Sequence, residues 1–186
     1  MAVSEKFPVC VVFERCAVDS PWQDFAWQAI GVIPVKNQQD EQAKESASPS
    51  RTIFEEAGRA RYLTDVFEIE LFRKETEGYK VNLSQDQPLV YVVLCPAKED
   101  AEDGEGGAPD MEVFHVTLCP YEAESYTESG DETVDGVPMP EPIHTWAQAF
   151  IETHHVDVPF KKRKRNKDKG NQEKGWGAPR QQKAKT

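Results

Sequence analysis

His154 and His155 stand side by side near the end of an apolar-periodic segment, directly before a run of cations. Imidazoles in such a pair could ligate a metal or move a proton near neutral pH. Adjacent helical positions lie about 100° apart, so the two rings do not make the i, i+4 bite that grips zinc. A helix C-terminus favours cationic character by itself, which gives both residues a structural role. The four cysteines, Cys10, Cys16, Cys95 and Cys119, include no Cys-x-x-Cys pair. A zinc site from Cys10, Cys16 and the two histidines would need a tertiary coincidence that the spacing does not supply. In a reducing compartment all four are free thiols, and Cys10 and Cys95, set in apolar runs, are expected to be buried as small hydrophobes. His115 and His144 have no nucleophile nearby in sequence, and no Gly-x-Ser-x-Gly elbow is present. The expectation is a chain without a catalytic residue, a metal ligand set or a cofactor.

Phosphate chemistry fares no better. The clustered glycines, Gly104, Gly106 and Gly107, lie among Glu99, Asp100, Glu102, Asp103, Glu105 and Asp110, an acidic loop that would repel a nucleotide. No register in that loop supplies the ligands of a calcium-binding hand. Trp22 and Trp27 flank Phe25, and these rings could form a stacking platform for a base or a pterin; packing into a core is the simpler use of them. The basic run Lys161, Lys162, Arg163, Lys164 and Arg165 could meet nucleic acid, a membrane surface or an acidic partner. An acidic body argues against nucleic acid, and the absence of an amphipathic or lipid signal argues against a membrane. Trp176, set between Gly175 and Gly177, reads as an apolar anchor for a partner. The candidate partner-binding residues are therefore Lys161, Lys162, Arg163, Lys164, Arg165 and Trp176.

Charge sets those residues apart. Residues 160–186 carry eleven Lys or Arg against Asp168 and Glu173, whereas residues 1–159 hold eleven bases against thirty-one acids. A block of like charge with few apolar residues cannot offset the entropy of ordering, so 160–186 is predicted to be a disordered basic tail on a single domain spanning 1–159. Residues 36–51, rich in Gln, Ser and charges, read as a flexible insert within that domain. About 140 residues remain to build one core. The opening lacks a basic, apolar leader and no stretch is long enough to span a bilayer, so a cytoplasmic location is expected.

The elements follow from periodicity. Phe7, Val9, Val11 and Phe13 alternate as one face of a strand, and a second strand runs from Trp27 to Val35. Two apolar runs between Arg59 and Phe72, parted by Thr64-Asp65, predict a β-hairpin. A short helix is placed over 73–82 despite Gly78. Leu89 to Cys95 is a nearly continuous apolar run, hence a central strand covered on both faces, paired with Glu112 to Cys119. In that partner Phe114, Val116 and Leu118 are expected to share one face. Pro120 opens a short helix ending before Gly130. Pro138, Pro140 and Pro142 make an extended connector into a last helix whose Ile143, Trp146, Ala147, Phe150, Ile151 and His154 share a face. The sum is an α+β fold of about six strands: a curved, mostly antiparallel sheet, barrel- or sandwich-like, with a C-terminal amphipathic helix.

Several strings converge in order along the chain: Trp22 and Trp27-Gln28-Ala29-Ile30; Glu75 to Leu83; Tyr91-Val92-Val93-Leu94; Pro120-Tyr121-Glu122-Ala123; Val137-Pro138-Met139-Pro140; and His154-His155-Val156 leading to Pro159-Phe160-Lys161-Lys162-Arg163. Over roughly residues 7–165 they resemble a bacterial family of uncharacterised proteins whose members are commonly encoded beside molybdenum-dependent formate dehydrogenase. The resemblance implies an accessory or assembly factor for that enzyme, acting by contact with a dehydrogenase subunit or a maturation protein. It transfers no catalytic residue. Some members carry a label suggesting molybdopterin-guanine dinucleotide synthesis, which implies a molybdopterin or guanine-nucleotide-binding protein as the alternative. Against that label, the first strand ends in Phe13-Glu14-Arg15-Cys16-Ala17-Val18-Asp19, with no glycine and no phosphate-holding lysine. Nucleic-acid binding through the basic tail is the second alternative.

Overall fold

The computed structural model describes residues 3–35, 50–97, 110–128, 130 and 132–156. Met1–Val156 forms one unit; the second, Asp157–Thr186, lies outside the described residues, as do Lys161, Lys162, Arg163, Lys164, Arg165 and Trp176. Most of the proposed insert at 36–51 and the acidic loop from 98 to 109 lie outside them too.

The alternation at the start of the chain produces β1 (Ser4–Ala17), with Val9, Val11 and Phe13 fully buried on its inner face. One edge of β1 pairs antiparallel with β2 (Phe25–Pro34). Its other edge pairs with β4 (Arg59–Thr64) toward the Ala17 end and with β5 (Phe67–Phe72) toward the Ser4 end. β3 (Ser50–Glu56) extends the sheet beyond β4.

The hairpin expected at Thr64-Asp65 is not formed. β4 and β5 run in the same direction along one edge of β1, with Leu63 opposite Val12 and Phe67 opposite Val9. Four steps along one chain therefore meet three along the other. The extra residue switches the buried set from Ala60, Tyr62 and Thr64 to Ile69 and Leu71, keeping both runs in the core. Thr64 fills the break: its Oγ1 accepts the Val11 N–H at 2.9 Å and donates to the Asp65 carbonyl at 2.8 Å.

The second sheet places β6 (Leu89–Pro96) between β7 (Met111–Thr117) and β8 (Thr133–Pro138). Val90, Val92 and Leu94 face the core, and Val93, on the opposite face, is equally buried. A register slip between Val93 and Leu94 leaves Phe114 as the extra residue of β7. Phe114 is consequently 55% exposed, while Val113, Val116 and Leu118 are buried, which corrects the face assigned from alternation. Among the described residues there are eight strands rather than about six, since the pattern does not reveal β3 and β8.

After a 3₁₀ turn at Arg73–Glu75 comes α1 (Thr76–Leu83); α2 is Pro120–Thr127 and α3 is Glu141–His154. Gly78 is required where α1 meets the start of α2, because a Cβ there would lie 2.7 Å from Cys119 Sγ. One apolar core joins Val9, Phe13 and Ile69 of the first sheet, Val92, Leu94 and Val137 of the second, and Ile143, Ala147 and Phe150 of α3. Each fully buried Phe or Leu side chain in it contributes roughly 1.5–3 kcal/mol. The fold is thus α+β with antiparallel sheets arranged like a sandwich and not closed into a barrel. Where β2 approaches β8, no strand ladder forms; Asp135 Oδ2 accepts the Ala29 N–H at 2.7 Å instead. Among the described residues, no helix is long and apolar enough to cross a membrane.

Candidate functional site

β1 continues its inward register past Phe13, and the next inward residue is an arginine. Arg15 lies opposite Trp27 on β2 and Ala60 on β4, and Ala17, two residues on, lies opposite Phe25. Four aromatic residues therefore crowd this end of the sheet. Phe13 stacks on Tyr62 with ring centroids 5.3 Å apart, and Trp27 lies 6.0 Å from Phe13 and 5.6 Å from Tyr62. The Arg15 guanidinium sits 4.5 Å above the Phe25 ring and 5.9 Å from that of Trp27, within cation–π range of both.

Arg15 Nε is shut off from solvent yet has no hydrogen-bond partner. Among the described residues the guanidinium also has no salt-bridge partner. A sealed guanidinium donor without an acceptor costs about 1–3 kcal/mol, so its presence in an inward register is a feature to be explained. Burial pushes the Tyr62 hydroxyl up, with Arg15 pulling in the opposite direction. In the connection from β1 to β2, Trp22 is 92% exposed, and Phe25, the first residue of β2, is 36% exposed. The arrangement can accept a carboxylate or phosphate at Arg15 and an apolar contact on Trp22 and Phe25. The structure does not bring Trp22 and Trp27 together as a platform: Trp27 packs into the aromatic cluster, and Trp22 stands in solvent.

Glu14, one residue earlier, occupies the opposite face of the sheet and is fully satisfied. Its Oε1 accepts Gln28 Nε2 at 2.7 Å and its Oε2 accepts Arg61 Nε at 3.0 Å. Burial alone would push its carboxyl up, but the Gln28 and Arg61 hydrogen bonds outweigh it and hold the group below the usual carboxylate range.

The histidines are separated into structural contacts. His154 Nε2 lies 3.7 Å from Glu5 Oε1, and its ring is 4.7 Å from that of Phe150. His155 turns instead to α1, with Nδ1 3.0 Å from Thr76 Oγ1 and Nε2 3.6 Å from Glu77 Oε2. His115 Nε2 stands 3.4 Å from Glu122 Oε1, which ties β7 to α2; that neighbour is the main reason the Glu122 carboxyl is held below its usual range. Thr117 Oγ1 donates to the other Glu122 oxygen at 2.5 Å. Cys10 and Cys95 are half-buried on the outer faces of their sheets, contrary to the burial expected of them; Cys119 is the buried thiol, and burial pushes it up. Among the described residues, no three His, Cys, Asp or Glu side chains converge as a metal site.

No motif singles out Arg15 or Tyr62, and Phe25 enters the sequence reading only as the ring flanked by Trp22 and Trp27. The available signal was an arginine in phase with Val9, Val11 and Phe13, at the end of a strand whose inward positions are otherwise apolar.

Fold and site together define an α+β sandwich that carries an aromatic, guanidinium-bearing end and no assembled metal site among its described residues. The chain belongs to the family described as "Protein of unknown function (DUF3305)", whose model matches residues 8–164. No curated protein and no solved structure matches it.

Proposed function

We propose that this protein is a non-enzymatic accessory or assembly factor for a molybdenum-dependent formate dehydrogenase, acting by protein–protein contact. The single observation that carries the contact reading is the β1–β2 end of the sandwich. There, a 92% exposed Trp22 and a partly exposed Phe25 accompany a guanidinium whose Nε has no acceptor among the described residues. Trp and Arg are the residue types that dominate binding hot spots, and a solvent-facing Trp gains most from being covered. The dehydrogenase as partner rests on the ordered strings that resemble the formate dehydrogenase-associated family. The cationic residues Lys161 to Arg165 add a salt-sensitive attraction, and Trp176 a smaller apolar anchor.

Affinity capture of the full chain from cells producing the enzyme is expected to recover a dehydrogenase subunit or one of its maturation proteins, with recovery reduced in Trp22→Ala. Recovery of neither, by the unaltered chain, sinks the proposal.

A second reading, a molybdopterin or guanine-nucleotide-binding protein, draws on the same cluster: a guanidinium over Phe25 and near Trp27 suits an anionic, flat ligand. Its signature is a pterin or nucleotide that copurifies with the protein and is lost in Arg15→Met.

A further inference from the structure

β3 is an edge strand that pairs with β4 on one side only among the described residues. From Arg51 to Glu56 it is exposed throughout, including Ile53 at 49% and Phe54 at 36%. An open edge bearing large apolar side chains is what proteins ordinarily guard with charge or a bulge, and β3 has both. The details of those guards point the other way.

The bulge lies between Thr52 and Phe54, with Ile53 as the extra residue. Because of it Arg51, Phe54 and Glu56 fall opposite Leu63, Arg61 and Arg59, all on the outer face that also holds Glu14. The Arg61 guanidinium lies 5.5 Å over the Phe54 ring and fixes that side chain on this face. The charges are of opposite sign at the two ends of the strand. Like charges would repel any strand of the same sequence; this pattern repels a parallel copy and attracts an antiparallel one.

We propose that β3 pairs with β3 of a second copy of this chain, antiparallel and about a two-fold axis centred on Phe54. With the bulged Ile53 counted out of both strands, Arg51 of each copy lies opposite Glu56 of the other on the outer face, and the two Phe54 rings meet between the two ion pairs. Arg51 has no salt-bridge partner of its own among the described residues, so pairing competes with no ion pair described for that side chain. The contact is isologous, so it closes at two copies instead of growing into a fibre, and it joins two five-stranded sheets into one continuous sheet.

Sedimentation equilibrium of the full chain over a wide concentration range reads the association directly. A reversible monomer–dimer equilibrium is expected. Each single reversal, Arg51→Glu or Glu56→Arg, sets two like-charge pairs in the interface and is expected to weaken the dimer about tenfold or more. The double variant, R51E with E56R, restores both pairs with their signs exchanged and is expected to recover most of the lost association. Both positions are exposed, and unchanged far-ultraviolet circular dichroism confirms that each variant is folded. A monomer at every concentration overturns the proposal, as does a dimer indifferent to the single reversals or a double variant no stronger than the singles.

Discussion

At the Ser4 end of β1, Glu5 accepts the Trp146 indole N–H at 3.1 Å, Phe7 packs 5.1 Å from Trp146, and α1 and α3 lie together over the core. Nearby, Tyr79 accepts the Phe72 N–H, and the fully buried Asn82 makes three hydrogen bonds, to Leu89 O, Leu118 O and Leu89 N. At the Ala17 end, Arg15 lies among aromatic rings with a sealed Nε and no acceptor. One end of the strand satisfies a buried amide three times over; the other leaves a sealed guanidinium Nε without a hydrogen-bond partner among the described residues. The first arrangement is what stability selects. The second is maintained at a cost to stability, which is the usual mark of a surface shaped for contact with something else.

Breaking the closed end should give the largest effect. Asn82→Ala strands the Leu89 N–H and two carbonyls in a dry environment at once, and is expected to cost about 3 kcal/mol or more. Urea denaturation of the full chain measures this as a lower midpoint with little change in slope. A loss below about 1 kcal/mol would show that the α1 end is not the structural clamp described above.

The same operation at the open end should behave differently. Arg15→Met keeps an unbranched apolar side chain at this position and removes the guanidinium with its sealed Nε, so its stability is expected to stay within about 1 kcal/mol of the parent chain or to rise slightly. Recovery of the proposed partner in affinity capture is expected to fall in the same variant. Were Arg15→Met to destabilise the chain as much as Asn82→Ala, the guanidinium would be a structural group and the contrast between the ends would collapse.

Much of the closed end was legible in the sequence, and little of the open end was. Phe7, Val9, Val11 and Phe13 announce β1 by alternation, and Ile143, Ala147 and Phe150 announce the buried face of α3, because burial on one side imposes a period that side chains must obey. That rule fails at bulges. Around Asp65 and Val66, at Ile30 and at Phe114 the register slips by one residue, so a strict count of two misplaces every following side chain, as it did for Phe114. β3 was hidden because its solvent-exposed strand carries no alternation and overlaps the polar segment ending at residue 51. β8 was hidden by Asp135 and Gly136, residue types disfavoured in strands, held there by pairing with β6 and by the Ala29 contact. Arg15 lay in plain sight within the alternation of β1, but no motif marks it; its meaning depends on Phe25, Trp27 and Tyr62, which only the paired strands bring to it.

The finest test concerns the seam close to that open end, where Ala29 pairs with Phe13 and donates to Asp135. Burial pushes the Asp135 carboxyl up, and the Ala29 N–H only partly opposes it. A folded-state value above the unfolded one, about 3.9, means that the native chain holds this proton more tightly. Stability from this group therefore rises as pH falls through the raised folded value, reaches its full extent below the unfolded one, and is absent at neutral pH. Asn at 135 carries no charge and its Oδ1 can still accept the Ala29 N–H. Asp135→Asn is accordingly expected to be more stable than the parent chain at pH 7 by a fraction of a kcal/mol up to about 1 kcal/mol, with the advantage fading on acidification. Thermal midpoints of the two chains across the acid range read this directly. A variant less stable at pH 7, with a deficit that shrinks on acidification, would mean that the carboxylate is held by its charge. The seam would then belong with the satisfied end of the molecule, and Arg15 would be an isolated exception instead of part of a region built at a cost.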